Sequence, residues 1–137
     1  MADLVTTRLE EVGAAIGRRL AERLTRDRGR FASDLETVRF LCKEFWTELN
    51  GKSADGLRTD KKGTFQVDEK SFRFLARISA APDVNVKDEA LRYVALPCGI
   101  VRGALELLGF EGTQVKCQIV ALPAAKFVIT IPANKSV

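Results

Sequence analysis

The sequence predicts an α+β fold in which helices cover one face of an antiparallel sheet. Two observations carry this. Three stretches repeat apolar residues on a helical period, while shorter stretches alternate apolar and polar residues as half-buried strands do. The order is helix, helix, hairpin, helix, hairpin, so the two kinds of element are segregated along the chain. A length of 137 residues suits one domain spanning 1–137.

The first helix is expected from Asp3 or Thr7 to Leu24. Asp3 is one candidate N-cap, and Thr7 followed by Glu10 forms a capping-box pattern. Val5, Leu9, Val12, Ile16, Leu20 and Leu24 make one apolar stripe at spacings of three and four. The second helix is expected over Ser33–Asn50. Ser33 and Glu36 form its capping box, Leu35, Val38, Leu41, Cys42, Phe45, Trp46 and Leu49 share a face, and Gly51 closes it.

Asn50–Gly56 reads as a loop, and LRTDKKGTFQV as a hairpin turning at Asp60–Gly63. Val67–Ser79 fits neither period cleanly; a short strand leading into a helical turn is expected there, followed by a loop around Pro82 and Asn85. A third helix is expected over Val86–Leu108 with Gly109 as its cap. Pro97 should break or kink it, because proline lacks the amide and clashes with the preceding turn. Gly99 and Gly103, four apart, should allow tight helix–sheet packing. Gln114–Leu122 and Lys126–Ile131 alternate as strands, joined through Pro123, Ala124 and Ala125.

Composition bounds the chemistry. The chain holds no histidine, which removes histidine-based triads, dyads and general bases. It has no Gly-rich phosphate loop and no paired-carboxylate motif. No catalytic, cofactor-binding or metal-ligating residue is therefore assigned. Cys42, Cys98 and Cys117 have neither disulfide-framework nor zinc spacing, and are expected to be buried, unacylated thiols. No apolar run reaches the roughly 20 residues that span a bilayer, and the N-terminus has no signal-peptide pattern. The chain reads as cytosolic.

Residues 18–30 concentrate charge: Arg18, Arg19, Arg23, Arg26, Arg28 and Arg30 face only Glu22 and Asp27. Such a stretch is a solvated face, a protein interface, an anionic-lipid surface or, last, a nucleic-acid site. No RNA-binding or zinc-finger motif accompanies it, so nucleic acid is not expected. A stand-alone basic module acting through Arg18 to Arg30 is the alternative to a protein-binding role.

Five stretches, in order and spacing, resemble the small TRAPP subunits of the Bet-three-like fold, and among them the subunit-six branch. They are RRLAERLTRDRGRFASDLETVRFLCKEFW (18–46), LRTDKKG (57–63), FRFLARIS (72–79), YVALPCGIVRGALELLGF (93–110) and LPAAKFVI (122–129). The resemblance covers Leu9–Ile131, and Cys98–Gly103 is its most characteristic part. It implies an α/β plait of helices on a twisted antiparallel sheet. It implies a non-catalytic scaffold subunit of a vesicle-tethering complex acting between endoplasmic reticulum and Golgi and within the Golgi. Its partners would be a related small subunit, as a heterodimer, and other TRAPP subunits. A Rab-type GTPase would be engaged through the whole complex, with peripheral association at cis-Golgi and endoplasmic reticulum membranes. Ile16, Leu20, Leu24, Val38 and Phe45 are the residues expected to meet the related subunit. Family members usually begin with a helix ahead of the one near Thr7, and little stands there in this chain. A sister branch carries an acylated cysteine just before its second helix; RGRFASD, residues 28–34, has none, so acylation by that route is expected to be absent.

Overall fold

A computed structural model describes residues 4–29, 31–60, 63–73, 86–121 and 124–131. The elements run α1 (Leu4–Thr25), α2 (Asp34–Phe40), a π-helical turn (Leu41–Phe45), α3 (Trp46–Asn50), β1 (Gly56–Thr59), β2 (Thr64–Glu69), α4 (Val86–Leu107), β3 (Gln114–Ala121) and β4 (Ala124–Thr130). The strands form one antiparallel sheet in the order β1-β2-β4-β3. Helices packed on this sheet give the α+β class the sequence implied.

Local chemistry explains most boundaries. Ser33 Oγ accepts the Glu36 amide at 3.1 Å, and the Glu36 carboxylate accepts the Ala32 amide at 3.0 Å. This capping arrangement starts α2 where the sequence placed it. α2, the π turn and α3 then run on as one helical rod to Gly51, with right-handed helical backbone at Phe40, Leu41, Phe45 and Trp46. The Trp46 amide donates to the Leu41 carbonyl five residues back, which defines the π turn. Thr7 lies inside α1, which already starts at Leu4, so it is not the N-cap of this helix.

α4 runs unbroken through Pro97, so of the break or kink expected there the break does not occur. Proline removes one backbone hydrogen bond, but Val94, Ala95, Cys98 and Ile100 around it are buried, so packing holds the helix together. At its end, the Phe110 amide reaches the Leu105 carbonyl at 2.9 Å and the Gly109 amide reaches Glu106 at 3.1 Å. This paired pattern requires a left-handed residue, supplied by Gly109 at φ 107°.

The core lies between the rod, α4 and the inner face of the sheet. Phe65, Val67, Phe127 and Ile129 point inward along β2 and β4. Trp46 stands over them, 5.1 Å from the Phe127 ring and 5.8 Å from Phe72, which is also fully buried. The opposite face carries Gln114, Lys116 and Gln118 in solvent. Asp3, Lys61, Lys62, residues 74–85 and Pro123 lie outside the described residues, as does the helical turn expected before Ser79.

α1 packs mainly on α4 and not on the sheet. A Cβ added to Gly13 would overlap the Leu96 carbonyl, and one on Gly17 the Ile100 carbonyl. From the other side, a Cβ on Gly99 would overlap the Glu10 carbonyl, and one on Gly103 the Ala14 carbonyl. Two small-residue stripes thus interlock, bringing the helix backbones into contact. Gly99 and Gly103 serve helix–helix packing, a correction to the helix–sheet role expected of them.

Candidate functional site

The small-residue seam decides which face of α1 is left outside. Gly13, Ala14, Gly17 and Ala21 are its buried residues. At 100° per residue, Val5, Val12 and Ile16 fall on the opposite side. They are exposed by 54%, 53% and 44%, and Leu4 by 67%. Arg8 and Arg19 are interleaved with them and exposed. Among the described residues neither arginine has an ion-pair partner. The outward face of α1 is thus an aliphatic strip studded with unpaired cations.

The residues expected to meet a partner separate into three environments. Ile16 is on this outward strip. Leu20 and Leu24 are half-buried and pack against the core cluster. Val38 and Phe45 are fully buried inside the chain's own core. The candidate surface is therefore built without Val38 and Phe45, because the rod that carries them spends its apolar face on the sheet. Val5 and Val12 join Ile16 instead. The signal that singles them out is the spacing of Gly13 and Gly17, which marks the buried side of α1.

The basic stretch does not form one uniform patch. Arg18 pairs with Glu106 at 2.5 Å, Arg23 approaches Glu48 at 3.8 Å, and Arg28 grips Glu44 at 3.0 Å. Arg28 also lies over the rings of Phe31 and Phe40, 4.9 and 5.4 Å from their centroids. Three arginines are thereby matched within the chain, while Arg19 and Arg26 stay without an ion-pair partner among the described residues. Arg30 lies outside the described residues.

A groove of about 490 Å³ opens where the ends of α1 and α4 meet the start of α2. Arg28, Phe31, Thr37, Leu108 and Phe110 line it. It holds no cysteine.

A second polar cluster is structural. Glu69 is buried at 2% exposure, and its carboxylate accepts from Trp46 Nε1 at 2.9 Å, Lys52 Nζ at 2.7 Å and the Ser71 amide at 3.1 Å. Asp55 accepts the Lys70 amide at 2.6 Å, a bond that holds its carboxyl below the usual range. Hydrogen bonding to Glu69 pushes the Lys52 ammonium up. Together these groups pin the loop after α3 to the end of β2. Of the thiols, Cys42 and Cys98 are buried and Cys117 is half-exposed, which corrects the expectation of burial for Cys117. Among the described residues no cluster of potential metal ligands occurs, and no helix is long and apolar enough to cross a membrane.

Among the described residues the fold is helices on a four-stranded antiparallel sheet, with an exposed aliphatic strip on α1. The sequence matches the family described as transport protein particle (TRAPP) component over residues 2–132. Human trafficking protein particle complex subunit 6B is 37% identical over 125 residues, covering 91% of this chain and 77% of the relative. Human subunit 6A is 38% identical over 126 residues, covering 92% of this chain and 77% of the relative. A crystal structure of subunit 3 from Naegleria fowleri, described as covalently bound to palmitic acid, superposes with a TM-score of 0.69. It is 18% identical, covers 93% of this chain and 80% of its own, and shares the fold. The chain belongs to the TRAPP component family.

Proposed function

We propose that this chain is a non-catalytic scaffold subunit of a TRAPP tethering complex in transport between endoplasmic reticulum and Golgi. In this reading it acts as one domain and pairs with a related small subunit through the outward face of α1. It supports Rab nucleotide exchange only as part of the whole complex, and it meets cis-Golgi and endoplasmic reticulum membranes peripherally.

The carrying observation is the exposure of Val5, Val12 and Ile16 on one face of a 22-residue helix whose other face is already satisfied. Isolated exposed aliphatics are ordinary, but a strip of them on one helix marks a contact surface. Family membership supports other subunits of a TRAPP complex as partners. A stable interface covers about 800 Å² on each side, and α1 can contribute its full length to it.

The test is a paired variant, Val12→Asp with Ile16→Asp, mixed with a related small subunit. Charges buried in an apolar contact lose hydration without compensation. Pairing by size-exclusion chromatography should fall at least tenfold while circular dichroism stays unchanged. Pairing at wild-type affinity places the interface elsewhere and removes this role from α1. Acceleration of Rab nucleotide exchange by the isolated chain contradicts the non-catalytic part of the reading.

A further inference from the structure

Ser33 is set apart from the other hydroxyl residues of the chain by what precedes it. Arg28 and Arg30 stand five and three residues upstream, and no other serine or threonine has an arginine at either distance. Ser33 closes the segment between α1 and α2, whose described residues 26–29 and 31–33 are neither helix nor strand. Arg26, Asp27, Arg28, Gly29, Ala32 and Ser33 are all exposed, and nothing lies within 4 Å of a Cβ built on Gly29. The backbone at Ser33 is extended, with φ −153° and ψ 165°. An extended chain presents successive side chains to separate subsites of an enzyme. Ser33 Oγ accepts the Glu36 amide at 3.1 Å, a bond that uses an oxygen lone pair and not the hydroxyl hydrogen. Arg28 is tied to Glu44, but at the surface, with the two side chains 39% and 56% exposed. Such a pair is weak enough to be exchanged for another.

We infer that Ser33 is a phosphorylation site for an arginine-directed serine/threonine kinase. Such a kinase carries acidic pockets that take guanidinium groups three and five residues ahead of the reacting hydroxyl, and planar guanidinium suits carboxylates better than ammonium does. Arg28 and Arg30 supply both groups from the sequence. Ser33 Oγ attacks the γ-phosphorus of ATP, and the bond from that phosphorus to the β–γ bridging oxygen breaks. ADP departs, and the hydroxyl proton passes to the kinase's catalytic aspartate and then to solvent. The product carries about two negative charges and three strong acceptor oxygens. Arg28, Ala32, Ser33 and Asp34 line the same groove of about 490 Å³, so the new group has room and a cation beside it. Asp34 and Glu36 repel it from the α2 side, which leaves Arg28 as its counter-ion and loosens the Arg28–Glu44 pair. The stretch from Arg18 to Arg30 holds six arginines against two acids, and the phosphate cancels half of that excess. Phosphorylation of Ser33 is therefore a charge switch on the basic stretch that follows the outward face of α1.

The experiment incubates the folded chain with magnesium ATP and the catalytic domain of protein kinase B, which selects arginine at these two positions, and locates phosphate by mass spectrometry. One phosphate, on Ser33, is expected. Ser33→Asn keeps a capping oxygen for α2 but has no hydroxyl, and it should take up none. Arg28→Ala and Arg30→Ala each remove one guanidinium and leave the serine, so each should lower kcat/KM about tenfold. Circular dichroism checks that every variant is folded. If Arg28→Ala is not, Arg30→Ala and Ser33→Asn still decide. Phosphate on a different residue, or undiminished rates in the arginine variants, would overturn the inference. So would failure of the folded chain to take up phosphate, whether or not a free peptide spanning 26–36 is modified.

Discussion

The backbone of α1 at Gly17 rests against the backbone of α4 at Ile100, so closely that a Cβ on Gly17 would overlap the Ile100 carbonyl. In an exposed helix, glycine to alanine gains about 1 kcal/mol from propensity alone. Here the overlap is with backbone, which cannot rotate away, so the two helices must separate. Gly17→Ala should therefore destabilise the chain by about 2 kcal/mol net, read by urea unfolding. Gly29→Ala is the control: nothing lies within 4 Å of its Cβ position, and its effect should stay within about 0.5 kcal/mol. Equal effects of the two substitutions would show that the α1–α4 seam is not tight.

Glu69 offers a second measurable point. Its buried carboxylate holds Trp46 Nε1, Lys52 Nζ and the Ser71 amide together. Glu69→Ala leaves the indole and amide donors unsatisfied in the core and opens a void, a loss of about 3 kcal/mol. Trp46→Phe removes one donor but leaves Glu69 with two partners, so it should cost less. Trp46 is the only tryptophan, so its fluorescence reports this cluster directly. A smaller loss in Glu69→Ala than in Trp46→Phe would contradict the central place given to the carboxylate.

Cys42 makes a prediction about alkaline pH. Burial pushes its thiol from 9.0 up to about 12. The folded state therefore favours the protonated form, and this contribution is fully present below pH 9.0. It is lost as pH rises from there through about 12, because the unfolded chain ionises first. The shift of about three pH units corresponds to at most about 4 kcal/mol. Cys42→Ala should flatten the fall in stability across that window, measured as urea midpoints at each pH. An unchanged slope in Cys42→Ala would mean that other groups, such as lysines, account for it.

How much of this was legible in the sequence depended on whether the signal was local. Ser33 with Glu36, Gly51 and Gly109 marked helix ends through backbone chemistry that involves only near neighbours, and those ends stand where the residues placed them. The alternation of Val115, Cys117 and Ile119 likewise set the face of β3. The orientation of α1 was different. Its apolar residues read as one stripe with Ile16, Leu20 and Leu24 toward a partner, but Gly13 and Gly17 meet Leu96, Gly99 and Ile100 on α4, far away in sequence, and that pairing turned Val12 and Ile16 outward and left Leu20 and Leu24 half-buried against the core. Phe45 was assigned to a partner because periodicity cannot tell a chain's own sheet from another protein. The intramolecular pairs of Arg18, Arg23 and Arg28 were hidden for the same reason, since their acids lie on other helices.

The unpaired arginines separate the protein-binding role from a membrane role. Arg19 lies among the exposed aliphatics of α1, without an ion-pair partner among the described residues. Arg18, one residue away, is already matched by Glu106 across the α1–α4 seam. If α1 docks a related subunit, Arg19 steers association toward acidic groups flanking the partner's apolar surface. Charges around an apolar contact act mainly on the rate of encounter. Arg19→Glu should then lower the association rate about tenfold at low salt and leave the dissociation rate nearly unchanged. The difference should shrink as salt is raised toward 0.5 M, where screening shortens the reach of the field to a few ångströms. Surface plasmon resonance with an immobilised related subunit reads both rates. If pairing is untouched while binding to phosphatidylserine vesicles is lost, the cations of α1 serve an anionic membrane and the pairing surface lies on another face.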